Sequence, residues 1–133
     1  MIPCLVVTHG NLGAELIRLV ELVLGPMEGL ASISNENRSM AKLKADIRKW
    51  LEDPNVATAG GVLLFVDNHA SSCATTAQIA CAAIENCVIL SGVNLAMLIG
   101  YASRRESMTL EQLVPELLQI GRQAITQLDL PDG

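Results

Sequence analysis

The chain has two histidines, and the first of them stands where its ring could react. His9 follows the apolar run Cys4 to Val7 and Thr8, and Gly10 comes next. A buried strand therefore ends here, and the backbone turns tightly beneath an imidazole left at the rim. An unperturbed imidazole is largely uncharged at neutral pH and is a competent nucleophile toward phosphorus. Asn11 to Gly13 open a helix whose free N–H groups and dipole favour an anion beside the ring. Gly10 and Ser72 are the candidate phosphate-binding residues, Ser72 offering a hydroxyl and a backbone N–H at the start of a later helix. Ser72 can equally cap that helix. Asp67 ends a second buried strand. If that strand neighbours the first, its carboxylate accepts a hydrogen bond from one ring nitrogen of His9. The contact would fix the tautomer and leave the other nitrogen free to attack. His9 and Asp67 are the candidate catalytic pair.

Other polar residues carry weaker expectations. His69 shares a loop with Asp67, and an exposed loop histidine is usually inert. Cys73 lies near a helix N-terminus, where a thiol pKa can fall, but burial in the helix face suits it better. Asn94 is expected to organise the turn before its helix. Met27, Met40, Met97 and Met108 read as core or rim filler, and Arg104-Arg105 as a solvated helix end.

These groups need elements to position them. The pattern predicts a strand over Cys4–Val7, a helix over Leu12–Leu24 closed by Gly25-Pro26, and a strand over Leu30–Ser34. A helix capped by Ser39 follows to about Leu51, with Met40, Leu43, Ile47 and Leu51 on one face and Asp53-Pro54-Asn55 closing it. Gly61–Val66 is apolar without alternation, as expected of a parallel strand covered on both faces. An Ala-rich helix from about Cys73 to Glu85, a strand over Cys87–Leu90, and a helix from Leu95 to about Ser103 come next. The last helix begins after Ser107 or Thr109 and runs to about Thr126, leaving Gln127–Gly133 as a tail with strand potential. This β-α alternation predicts an open, mostly parallel, doubly wound α/β sheet of four strands with helices on both faces. Sites in such sheets gather at the carboxyl ends of the strands, where the strand order reverses.

At 133 residues the chain fits one domain spanning 1–133. Half the residues are apolar and only three are aromatic, which suits helices packed on a sheet with an aliphatic core. A net charge of −5, with no basic run interleaved with aromatics, argues against nucleic acid as a partner. Cys4, Cys73, Cys81 and Cys87 form no C-x-x-C pair and read as reduced, mostly buried thiols. Neither a signal peptide nor a membrane span is apparent, so the expected location is cytoplasmic. No cofactor and no metal are predicted.

Three segments together carry a family resemblance: Val7-Thr8-His9-Gly10; Phe65-Val66-Asp67 with Ser72; and Leu90-Ser91-Gly92-Val93-Asn94-Leu95-Ala96-Met97-Leu98. In this order and at these separations they resemble the signature segments of the mannose-family enzyme IIA domains of the bacterial phosphoenolpyruvate-dependent sugar phosphotransferase system. The resemblance covers essentially the whole chain. It implies a phosphocarrier that accepts a phosphoryl group from the carrier HPr on His9, with Asp67 bonded to the ring, and passes it to an enzyme IIB. It also implies a homodimer in which an antiparallel C-terminal edge strand, within Ala124 to Leu130, is exchanged between subunits. The membrane would be involved only indirectly, through separate transporter components. One segment departs from the family. Its members usually read Gly-Gly-Ser-Pro after the strand aspartate, where this chain has Ala70-Ser71-Ser72-Cys73, and Ala96 replaces a usual proline.

Two related readings share the resemblance: a regulatory phosphoacceptor of the same fold, and the phosphotransfer subunit of a dihydroxyacetone kinase. A flavodoxin-like small-molecule module is the plain alternative, disfavoured by the scarcity of aromatics and the lack of a Gly-rich first turn.

Overall fold

The computed structural model describes residues 1–133. Four five-residue strands, β1 (Cys4–Thr8), β2 (Leu30–Ser34), β3 (Val62–Val66) and β4 (Cys87–Ser91), form one sheet in the order β2-β1-β3-β4. All neighbouring pairs are parallel, with Cys4 opposite both Leu30 and Leu63, and Val62 opposite Cys87. The expected parallel α/β sheet is therefore present. Six helices accompany it: α1 (Leu12–Leu24), α2 (Met40–Leu51), α3 (Pro54–Ala57), α4 (Ser72–Cys81), α5 (Leu95–Arg104) and α6 (Leu110–Gln123).

Strand periodicity divides the core in two. Leu5, Val7, Leu64 and Val66 point to one face, where Leu43, Ile47 and Leu51 of α2, Val56 of α3, and the small residues Ala74, Ala77 and Ala80 of α4 cover them. Cys4, Val6, Leu63 and Phe65 point to the other, against Ile17 and Val20 of α1, Leu98 and Tyr101 of α5, and Leu113 and Leu117 of α6. Burying both faces explains why the central strands carry no polar alternation.

Local signals set the helix starts. Ser39 accepts the Lys42 N–H, Asn94 caps α5 by accepting the Met97 N–H, and Thr109 and Gln112 form a reciprocal capping box at α6. Several boundaries differ from the sequence reading. Asp53 does not merely close α2 but caps the short helix α3, with Pro54 in its first turn. Helix α4 stops at Cys81 instead of continuing to Glu85, because residues 82–86 are exposed and offer no apolar anchor to the core. Met40 is exposed, leaving Leu43, Ile47 and Leu51 as the buried stripe of α2.

Arg105 also departs from expectation. It is buried, donates from Nη1 to the Glu28 carbonyl, and lies 5.7 Å over the Tyr101 ring. The Tyr101 hydroxyl in turn donates to the Ile2 carbonyl, tying the N-terminus to α5. Residues 124–133 form no strand within this single chain and are exposed. No helix is long and apolar enough to cross a membrane.

Candidate functional site

After β1 the chain crosses to β2 on one side, and β3 then adds on the other side of β1. The strand order therefore reverses between β1 and β3, and the crevice at their carboxyl ends is the natural site of this fold. Because Val7 pairs with Val66, the residues just beyond the two strands, His9 and Asp67, are brought side by side.

The pair is closely bonded. Asp67 Oδ2 lies 2.8 Å from His9 Nδ1 and accepts the His9 backbone N–H at 2.9 Å. Its other oxygen, Oδ1, accepts the Asn68 N–H at 2.9 Å. The His9 side chain is 51% exposed and that of Asp67 13%. Burial pushes the Asp67 carboxyl up, but the His9 backbone N–H, the His9 ring and the Asn68 N–H outweigh it, and the net position is below the ordinary carboxylate range. An ionised carboxylate only accepts, so Nδ1 carries a proton, and in the neutral form of the ring the lone pair is then on Nε2. The hydrogen bond expected between Asp67 and one ring nitrogen of His9 is present.

The turn that presents His9 has its own supports. Gly10 adopts φ +54°, a left-handed conformation that side chains resist. The buried Thr8 hydroxyl accepts the Gly13 N–H at 2.8 Å, clamping the first turn of α1 to the end of β1. A Cβ on Gly13 would come within 3.2 Å of both Thr8 Oγ1 and Val6 Cγ1, so any side chain here would push these neighbours back by a few tenths of an ångström. The Gly13 N–H is thus consumed internally and is not one of the free donors expected over Asn11 to Gly13. Thr8 and its clamp were missed by sequence reasoning, since a threonine ending a strand carries no distinguishing signal.

On the opposite side, the Asn68 side chain accepts the Ala70 N–H and its carbonyl accepts the Ser71 N–H and hydroxyl. Ser71, and not Ser72, is the N-cap of α4, its hydroxyl accepting the Ala74 N–H. Ser72 is the first residue of the helix, exposed, and directly precedes Cys73. Cys73 Sγ is 3.9 Å from His9 Nδ1. Burial, and secondarily the Asp67 charge, push this thiol up to about 11, so it is a neutral thiol despite its place in the first turn of a helix. Cys4 and Cys81 are also buried and Cys87 half-buried, all as free thiols. His69 is exposed on the turn after Asp67 and takes no part in the pair. His9, Asp67 and Cys73 offer ligand atoms that lie within 4.8 Å of one another, the one such cluster of possible metal ligands in the molecule.

An all-parallel sheet in the order 2-1-3-4, with a histidine–aspartate pair at its switch point, narrows the class to open α/β domains with a site at the strand ends. Residues 4–118 match the EIIA-man family, described as the PTS system fructose IIA component, and the chain belongs to that family. It is an enzyme IIA-type component of the sugar phosphotransferase system, mannose family. Three solved structures share its fold. Phosphotransferase system component EIIA from Streptococcus agalactiae is 20% identical, over 96% of this chain and 97% of that one, with a TM-score of 0.86. The mannose/sorbose-specific IIA subunit from Enterococcus faecalis is 24% identical, over 99% and 98%, with a TM-score of 0.82. The PTS IIA protein associated with the fucose utilization operon of Streptococcus pneumoniae is 15% identical, over 94% and 91%, with a TM-score of 0.81. At these identities the likeness speaks to the fold. No curated protein matches the chain.

Proposed function

We propose that this chain, acting as one domain over residues 1–133, is a histidine phosphocarrier. It takes a phosphoryl group from HPr onto His9 Nε2 and gives it to an enzyme IIB. The observation that carries the reading is the His9–Asp67 pair, in which Nδ1 is held by a carboxylate while the half-exposed ring leaves Nε2 for the donor.

In the accepting step the Nε2 lone pair attacks phosphorus and the P–N bond of the donor's phosphohistidine breaks. The leaving imidazole keeps that electron pair. The His9 ring becomes cationic with its proton still on Nδ1, and Asp67, already ionised, stabilises the charge without taking the proton. The exposed Ser72 hydroxyl and the amides at the start of α4, with those around Gly10, are the donors assigned to the phosphoryl oxygens. Transfer to the acceptor reverses the same step.

A homodimer fits the C-terminal tail. Ile125, Leu128 and Leu130 are 82%, 77% and 88% exposed, and β4 leaves a sheet edge without a partner strand. An exchanged antiparallel strand from a second copy would cover both.

The test is incubation with phosphorylated HPr followed by intact-mass measurement. An acid-labile phosphoryl adduct is expected on the wild type and none on His9→Ala. An adduct that persists in that variant, or one that no enzyme IIB can discharge, contradicts the reading.

A further inference from the structure

We propose that His9, Asp67 and Cys73 form a binding site for a borderline-soft divalent cation of the zinc type, and that occupation of this site excludes phosphorylation of His9. The exclusion rests on the phosphocarrier reading; the metal site does not.

The three groups come from three separate places in the fold: the turn after β1, the end of β3 and the first turn of α4. One imidazole nitrogen, one carboxylate and one sulfur are the kind and number of protein donors that zinc takes when it keeps an open position. Hard cations such as Mg²⁺ have no use for the sulfur. Tetrahedral Zn²⁺ with ordinary bond lengths places its nitrogen and sulfur ligands about 3.5 Å apart and its nitrogen and oxygen ligands about 3.3 Å apart. Here Nδ1 is 3.9 Å from Cys73 Sγ and 2.8 Å from Asp67 Oδ2. Moving Nδ1 about 0.4 Å toward the sulfur and about 0.5 Å away from the oxygen satisfies both distances, and the half-exposed ring is the least enclosed of the three groups.

Nδ1 is the nitrogen that faces both other ligands. For it to bind a cation, its proton must leave and the ring must carry its single proton on Nε2. The Cys73 thiol gives up its proton to solvent as the cation binds, and a carboxylate near neutral pH has none to lose. Near neutral pH one proton is therefore released per cation, and thiolate and carboxylate together neutralise the double positive charge. The ring then has no free lone pair to offer phosphorus. Conversely, a phosphoryl group on Nε2 keeps the proton on Nδ1 and denies that nitrogen to the metal. Each occupant weakens the other by the same factor.

The first experiment is titration of the reduced protein with Zn²⁺ in two buffers of different ionisation enthalpy, with Co²⁺ as a spectroscopic probe and Mg²⁺ as a control. One Zn²⁺ per chain, about one proton released, and a thiolate-to-cobalt charge-transfer absorption are expected. Cys73→Ser and Cys73→Ala should lose that absorption, and they and His9→Ala should bind Zn²⁺ on the order of ten-fold more weakly or worse. Cys87→Ser should retain both signals. Absorption that survives in Cys73→Ser, an unchanged affinity in His9→Ala, or no saturable binding at one per chain overturns the site. The second experiment offers phosphorylated HPr to the zinc-loaded protein, with and without a chelator. Phosphorylation only after chelation supports the exclusion, and phosphorylation of the loaded protein overturns it while leaving the site intact. A chain that accepts no phosphoryl group in either state contradicts the phosphocarrier reading and the exclusion with it, and the titration still decides the site.

Discussion

One oxygen of Asp67, Oδ2, accepts both the backbone N–H and the ring Nδ1–H of His9, at 2.9 and 2.8 Å. The carboxylate therefore fixes the position of the residue as well as the tautomer of its ring. Asp67→Asn keeps the shape but loses the charge that stabilises a cationic ring. We expect the rate of phosphoryl acceptance to fall by on the order of 10²-fold or more, with circular dichroism unchanged. A rate within a factor of two of wild type contradicts the role given to the carboxylate.

The same contacts set a pH dependence. The folded pKa of Asp67 lies below its ordinary value, so its contribution to stability is fully present above the ordinary carboxylate range. It is lost as the pH falls through the lowered folded value. The Asp67 carboxyl carbon, followed by NMR, should titrate with a midpoint below the ordinary aspartate value. A midpoint above that contradicts the hydrogen-bond assignment.

The turn below the ring offers a backbone test. Gly10→Ala meets no side chain but forces φ +54° on a residue with a Cβ. A loss of about 1 kcal/mol in urea denaturation is expected, together with slower phosphoryl acceptance as His9 is displaced.

Adjacent serines separate folding from chemistry. Ser71→Ala removes the cap of α4 and should cost about 1 kcal/mol. Ser72→Ala removes an exposed hydroxyl and should leave stability within about 0.5 kcal/mol while slowing phosphoryl transfer. The reverse pattern would show that the two roles are misassigned.

Much of this was legible in the sequence. Apolar five-residue strands alternating with amphipathic helices point to one kind of sheet, and a histidine and an aspartate just past two such strands meet when those strands are neighbours, as β1 and β3 are. What escaped depends on three-dimensional closeness or on choices between neighbours. Which of Ser71 and Ser72 caps α4 was settled by the Asn68 turn, which draws Ser71 back onto its own carbonyl. The nearness of Cys73 to His9, 64 positions earlier, follows only from strand order and register. Arg105 read as solvated beside Arg104, whereas its partner Tyr101 lies one helical turn earlier and was the available clue. Arg105→Ala should accordingly destabilise the fold by about 1–3 kcal/mol in urea denaturation, through the lost packing on Tyr101 and the lost hydrogen bonds to the Glu28 carbonyl and the Tyr101 hydroxyl. An unchanged midpoint would return this residue to the surface.

The proposed phosphotransfer requires that Asp67 hold Nδ1 so that chemistry occurs at Nε2. NMR of the phosphorylated protein carrying ¹⁵N-labelled histidine reads this directly. Phosphorus is expected on Nε2 of His9, with Nδ1 still protonated; phosphorus on Nδ1, or on any other residue, would overturn the mechanism.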